Sequence, residues 1–164
     1  LLDHQRALDD TFPKLAERDI SVIVGSPLLA GFLAGRDRYL YGAQPVPPDS
    51  EEKRATAQRI VAAHGVDLRT VSLQFANAPD VVSAIVPGSR NAAQVAENVA
   101  SMSVAIPGDV WAELRAAGVP ANWGIASTAS ITSWRMPCSR RCTLRRSWRK
   151  DSRSISGAKP AKSL

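Results

Sequence analysis

A parallel α/β architecture, doubly wound or barrel, is predicted by three observations along this chain. Ile20-Ser21-Val22-Ile23-Val24 and Val81-Val82-Ser83-Ala84-Ile85-Val86 are short, β-branched and apolar, the signature of parallel strands buried on both faces. Each passes directly into a small-residue turn, Gly25-Ser26-Pro27 or Pro87-Gly88-Ser89-Arg90. Segments with helical apolar spacing and recognisable caps lie before, between and after them.

The elements can be justified in order. Leu8, Phe12 and Leu15 stand at i, i+4 and i+7, giving a short amphipathic helix that ends near Asp19, with Pro13 tolerated close to its start. After the first strand and the turn Gly25 to Gly31 comes a long loop with Pro45, Pro47 and Pro48. Asp49, with Glu52 at the reciprocal position, is the expected cap of the next helix, which His64 and Gly65 close as a cation and a left-handed residue. Asp67 caps a further helix whose Leu68, Val71 and Phe75 form one stripe, stopped by Pro79. Beyond the second strand Asn91 caps a helix expected to turn Ala92, Val95, Val99 and Met102 inward, with Gln94 and Asn98 one turn apart on another face. Pro107-Gly108-Asp109 opens a last helix through Val110, Trp111 and Leu114, closed by Gly118.

Charge divides the chain. Of its 164 residues, 127–164 hold ten Lys+Arg and one acid, a net +9, whereas the first 126 carry −3. The last segment also holds nine serines, Cys138, Cys142, Trp134 and Trp148, with no sustained periodic stripe. The expected division is therefore a folded body at 1–124 and a basic, Ser/Arg-rich tail at 125–164, disordered or read out of frame. Arg140-Arg141 and Arg145-Arg146 beside tryptophans are a second reading of that tail, as a nucleic-acid grip, which is the less favoured of the two. Two late cysteines exclude a disulfide-stapled framework and a four-cysteine zinc site, so no metal is expected. No apolar run approaches membrane-spanning length and no signal-peptide pattern opens the chain; a cytoplasmic protein without a membrane partner is the expectation. Residue 1 is Leu, which suggests that upstream sequence is missing.

The chemistry these elements suggest is anion binding. In Gly88-Ser89-Arg90-Asn91 a glycine admits close backbone approach, a hydroxyl and amides face outward at a helix start, and an arginine is suited to pair with a phosphate. An ordinary strand-to-helix turn with a solvated arginine explains the same four residues. Gly25 to Gly31 is a second small-residue loop after a strand, of a kind that wraps a pyrophosphate, although glycine and proline punctuate loops generally.

Taken together, Gly25-Ser26-Pro27-Leu28-Leu29-Ala30-Gly31-Phe32-Leu33, then Val86-Pro87-Gly88-Ser89-Arg90, then Gln94, Glu97 and Asn98, resemble the C-terminal portion of the aldo-keto reductases over roughly residues 1–120. Leu1-Leu2-Asp3-His4-Gln5, Pro27 to Gly31 and Ile106 to Gly118 look most like the bacterial group of D-threo-aldose 1-dehydrogenase and L-fucose dehydrogenase. The resemblance implies a partial (β/α)8 barrel, about the last three strands with their helices, that binds NADP, with NAD as the other choice. It implies hydride transfer between the nicotinamide and a carbonyl or sugar alcohol.

By the same resemblance Ser26, Leu28 and the amides near Ala30 line the pyrophosphate, and Gly88 allows close approach. Ser89 and Arg90 hold the adenosine 2′-phosphate, while Gln94, Glu97 and Asn98 contact adenine. Gly25 stands where many members place a tyrosine that stacks on the nicotinamide. The family's catalytic Asp, Tyr, Lys and His fall upstream of every position here, so no catalytic residue is assigned and the isolated chain is expected to be inactive. A noncatalytic nucleotide-binding fragment is the alternative function. A half barrel also exposes sheet edges, so self-association or pairing with a complementing fragment is expected. His4 is read either as facing the substrate pocket or as a polar strand-end residue, the latter favoured; His64 as a helix-terminal cation; Tyr39 and Tyr41 either as substrate contacts or as solvated loop aromatics, the latter favoured.

Overall fold

The computed structural model describes residues 1, 2, 4, 6–39 and 45–119. The tail at 125–164, with its nucleic-acid and out-of-frame readings, and Tyr41 lie outside the described residues. Two parallel strands, β1 (Val22–Gly25) and β2 (Val82–Val86), pair with Ile23 opposite Ala84, Val24 opposite Ile85 and Gly25 opposite Val86. The connection between them contains the 3₁₀ segment Leu29–Ala34 and two helices, α2 (Pro48–Ala63) and α3 (Leu68–Asn77). Before β1 stands the short α1 (Phe12–Ala16); after β2 come α4 (Ala92–Ser101) and α5 (Gly108–Ala116). The described residues thus form a mixed α/β unit with a two-stranded parallel sheet.

Caps fall largely where side-chain chemistry puts them. Asp67 accepts from the Thr70 amide at 2.9 Å and Asn91 from the Gln94 amide at 2.9 Å, each satisfying a donor the first helical turn leaves open. Gly65 and Gly118 both take positive φ just beyond helix ends. Asp49 does not cap α2. Pro48 occupies the first helical position, its fixed φ already helical, so the helix starts two residues earlier, with Pro47 at the N-cap, and Asp49 pairs instead with Lys53 at 2.7 Å. The first helix also departs from expectation, because Ala7–Thr11 is a π-helical turn leading into α1. A widened turn ahead of Pro13 relieves the clash between its ring and the carbonyl four residues back.

The core lies among helices. Val61, Val71, Leu73, Val110 and Leu114 are completely buried, joined by Leu33, Leu68, Phe75, Ile106, Trp111 and Val119. Neither strand is buried on both faces: Ile23 is 66% exposed and Val86 56%. A two-stranded sheet cannot cover both of its own sides, and the described residues hold no third strand; residues 1, 2 and 4, where one was expected, are irregular. His4 meets Phe75 edge-on, ring centroids 5.2 Å apart.

Helix α4 lies with the opposite face inward from the one its apolar pattern suggests. Val95 and Val99 are more than half exposed, while Asn98 and Ser101 are buried. Polar contacts join this side of the helix to α3: Gln74 Nε2 donates to the main-chain carbonyl oxygens of Ser101 and Val104, both at 2.8 Å, and Arg69 pairs with Glu97. Asn98 and Ser101, one turn apart, are the buried pair, with Gln94 half-buried and Glu97 exposed beside them.

Candidate functional site

The two turns that follow the strands meet. The Ser26 amide donates to Val86 O at 3.3 Å, tying the end of β1 to the end of β2. Beyond them, at the carboxyl ends of both strands, opens a cavity of about 730 Å³, within the range of small-molecule pockets.

Its first wall is the turn after β1. Ser26, Leu28, Ala30, Gly31 and Ala34 line it, and the chain there is strained. Ser26, Leu29 and Ala30 have φ of 51°, 49° and 58°, in the left-handed region that side chains with a Cβ seldom enter, and Gly31 follows at 101°. Such a cluster of left-handed residues persists only where the surroundings enforce it, and it is characteristic of ligand-holding loops. Phe32 and Leu33, completely buried, anchor the segment from beneath.

The opposing wall is the turn after β2 and the start of α4. Gly88, Ser89, Arg90 and Asn91 line it, with Ala93, Gln94, Glu97 and Asn98 from the helix. Asn98 Nδ2 donates to Ser89 Oγ at 3.1 Å, which leaves the Ser89 hydroxyl proton as a donor for an anion. Gln94 Oε1 accepts from the Arg90 amide at 2.8 Å, closing a reciprocal cap with Asn91 that fixes the arginine's backbone. Among the described residues Glu97 is the one acidic group on the lining, and it is paired with Arg69.

Nine of the ten residues singled out in the sequence share this cavity: Ser26, Leu28, Ala30, Gly88, Ser89, Arg90, Gln94, Glu97 and Asn98. Gly25 ends β1 outside the lining, and a Cβ built on it meets nothing within 4 Å. Tyr39 packs edge-on against Phe32 at 5.4 Å and its hydroxyl accepts from Ser50 Oγ at 3.4 Å, so it serves the wall and not the cavity. His64 caps α2 and stands 2.9 Å from Glu113 Oε1, joining α2 to α5 far from the lining in sequence and role. Among the described residues no group of three or more His, Cys, Asp or Glu is placed to hold a metal ion, and no helix is long and apolar enough to cross a membrane.

Sequence reasoning missed three cations. Arg36, Arg38 and Arg69 line the cavity with Arg90, setting four guanidinium groups against a single carboxylate. The signal for the first two was present in Gly35-Arg36-Asp37-Arg38, a basic run just after the left-handed Gly35. Arg69 carried none, because its approach depends on how α3 packs on α4. Four guanidiniums around one concavity, with hydroxyl and amide donors between them, make a site for a multiply charged anion and oppose a cationic or purely apolar ligand.

Residues 2–118 match the profile of the aldo/keto reductase family. D-threo-aldose 1-dehydrogenase from Pseudomonas sp is 28% identical over 115 residues, which cover 67% of this chain and 34% of that protein. The chain spans about a third of the length of the curated relative it matches. Both turns that build the cavity and the cap between them fall inside the matched stretch, and the chain belongs to the aldo/keto reductase family.

Proposed function

We propose that residues 1–124 form the cofactor-holding part of an NAD(P)H-dependent oxidoreductase, arranged as the last portion of a (β/α)8 barrel. The observation that carries this reading is the convergence of both post-strand turns on one cavity with four arginines, since barrel enzymes gather phosphates at the loops after their last two strands. The residues present fit such a group. Ser89 and Arg90 offer a hydroxyl and a guanidinium to an adenosine 2′-phosphate, which favours NADP over NAD. The strained turn at Ser26 to Gly31 lets backbone approach the pyrophosphate closely. At the adenine end, Gln94 Nε2 and Asn98 Oδ1 stay available to a ring, because the opposite atoms of those amides carry the bonds to Arg90 and Ser89.

When bound, the nicotinamide supplies hydride to a carbonyl carbon, and D-threo-aldose 1-dehydrogenase suggests a sugar or small aldehyde as the partner molecule. This chain's own residues hold the far end of the dinucleotide and fix its reach. No residue of this chain is assigned a part in the hydride-transfer step, and purified residues 1–164 are expected to bind the nucleotide without turnover. Self-association belongs to the same proposal, since Ile23, Val86, Val95 and Val99 are exposed, and sedimentation velocity reads it.

The test is titration of the full chain with NADPH and NADH, followed by nicotinamide fluorescence. NADPH is expected to bind more tightly, and Arg90→Ala to remove roughly tenfold of that preference, as loss of one charge-assisted contact does. Binding of neither nucleotide defeats the assignment, and steady NADPH oxidation with an aldehyde panel defeats the prediction of inactivity.

A further inference from the structure

One arginine on α2 grips the cavity wall from behind. Arg54 is not on the lining, and its side chain is 25% exposed. Its Nη1 donates to Arg36 O at 3.2 Å, its Nη2 stands 3.8 Å from Asp37 Oδ1, and its guanidinium carbon lies 4.1 Å from the centroid of the Phe32 ring. Three attachments from one planar group therefore bracket the chain reversal at Gly35, whose φ is 84°. On the far side of that reversal Arg36 and Arg38 face the cavity. Arg36 is held a second way: its stem lies where a Cβ on Gly31 would stand, with Arg36 Cδ 2.6 Å from that point.

Resting on the assignment of the cavity to a nucleotide's phosphates, we propose that Arg54 is a positioning residue that holds the strap at 36–38 so that Arg36 and Arg38 present their cations to a diphosphate. Arg54 touches no ligand. A flexible strap would spend the ordering entropy of two long cationic side chains at the moment of binding, and a tethered one has spent it on folding. The ion pair with Asp37, whose side chain is almost fully exposed, contributes little on its own. The backbone hydrogen bond and the contact with completely buried Phe32 supply the anchoring.

Isothermal titration of the full chain with inorganic pyrophosphate at low ionic strength tests this, using Arg54→Gln, Arg54→Lys, Arg36→Ala and the double variant Arg36→Ala/Arg54→Gln. Both Arg54 variants are expected to bind about tenfold more weakly than the parent, as is Arg36→Ala, and the double variant to fall short of the roughly hundredfold loss that independent effects would give, because Arg54 acts in part through Arg36 and in part through Arg38. Arg59→Gln, on the exposed side of the same helix, is expected to match the parent. Lysine keeps a cation over Phe32 but cannot reach Arg36 O and Asp37 together, so a folded Arg54→Lys with weakened binding supports positioning over mere packing. Parent-like affinity in a folded Arg54 variant, an additive double variant, failure of Arg54→Lys to fold, or no pyrophosphate binding by the parent overturns the proposal. Pyrophosphate binding without NADPH binding removes the nucleotide assignment and leaves the role of Arg54 standing, whereas NADPH binding indifferent to Arg54 removes only the latter.

Discussion

Replacing Gly31 by alanine separates backbone strain from the loss of a cation, provided Gly35→Ala is measured beside it. Both glycines sit in the left-handed half of backbone space, at φ of 101° and 84°. A Cβ in that region costs roughly 1–2 kcal/mol, and that cost is common to both variants. The surroundings differ. At Gly35 the new methyl meets nothing within 4 Å, whereas at Gly31 it falls 2.6 Å from Arg36 Cδ and 3.3 Å from Cγ and Nε.

Carbon atoms in comfortable contact are about 3.5–4.0 Å apart, so the Arg36 stem has to retreat by about 1 Å. Its backbone cannot retreat with it, because the Arg36 amide donates to Gly31 O at 3.1 Å and Arg54 holds the Arg36 carbonyl. The side chain swings out of the cavity instead, since a surface arginine changes rotamer at little cost to stability. In urea both variants are expected to lose about 1–2 kcal/mol with unchanged slope. In pyrophosphate titration Gly35→Ala is expected to match the parent, and Gly31→Ala to bind about tenfold more weakly, the worth of one charge-assisted contact. Equal pyrophosphate affinity for the two alanine variants would refute the reasoning. So would a Gly31→Ala stability loss several kcal/mol beyond that of Gly35→Ala, which would mean the collision falls on the core.

Other expectations follow from single side chains. Glu97→Gln removes the cavity's only lining carboxylate and frees Arg69, so inorganic pyrophosphate should bind several-fold more tightly with a steeper salt dependence, read by titration at two ionic strengths. Asp67→Ala deletes the cap of α3, whose carboxylate serves both the amide and the hydroxyl of Thr70, and chemical denaturation should register a loss of about 1–2 kcal/mol. Leu114→Ala leaves a hole beneath α5 at a completely buried site and should cost about 2–5 kcal/mol by the same measurement. Val99→Lys, at a position 65% exposed, should change stability by less than about 0.5 kcal/mol; a loss of core size would restore Val99 to the interior.

Local chemistry was legible and burial was not. Asn91 and Asp67 cap the helices their positions announce, since a cap is decided within three residues. Val110, Trp111 and Leu114 are buried as their spacing suggests, because α5 packs on α2 with no polar competitor on that face. In α4 the apolar stripe at 92, 95, 99 and 102 is the more hydrophobic one, yet Asn98 and Ser101 are the residues buried, on the side where Gln74 and Arg69 reach across from α3. Which of two stripes faces in depends on the partner's side chains, and periodicity within one helix holds no information about them. The site shows the same limit. Serine and arginine after a strand were legible at Ser89 and Arg90, whereas Arg69 enters the cavity only because its neighbour Thr70 is fixed by Asp67 and the helix beyond lies against α4.

The inverted α4 and the composition of the cavity are one fact seen twice. Had Val95 and Val99 turned inward, Asn98 and Gln94 would have faced away, and the turn after β2 would have lost both of its internal supports, the Asn98 bond to Ser89 and the Gln94 bond to the Arg90 amide. An apolar inward face would have been worth more in burial, about 25 cal/mol for each Å² covered. Among the described residues that gain is made in α3 and α5, while Val95 and Val99 of the helix bordering the cavity stay exposed. Stability and recognition are thus divided between elements: the helices at the back supply the core, while α4 and the strained turn at 26–31 hold donors and cations at fixed positions. Raising the stability of α4 by burying its valines would therefore be expected to weaken anion binding, as happens wherever a binding surface is held in a conformation its own sequence does not favour.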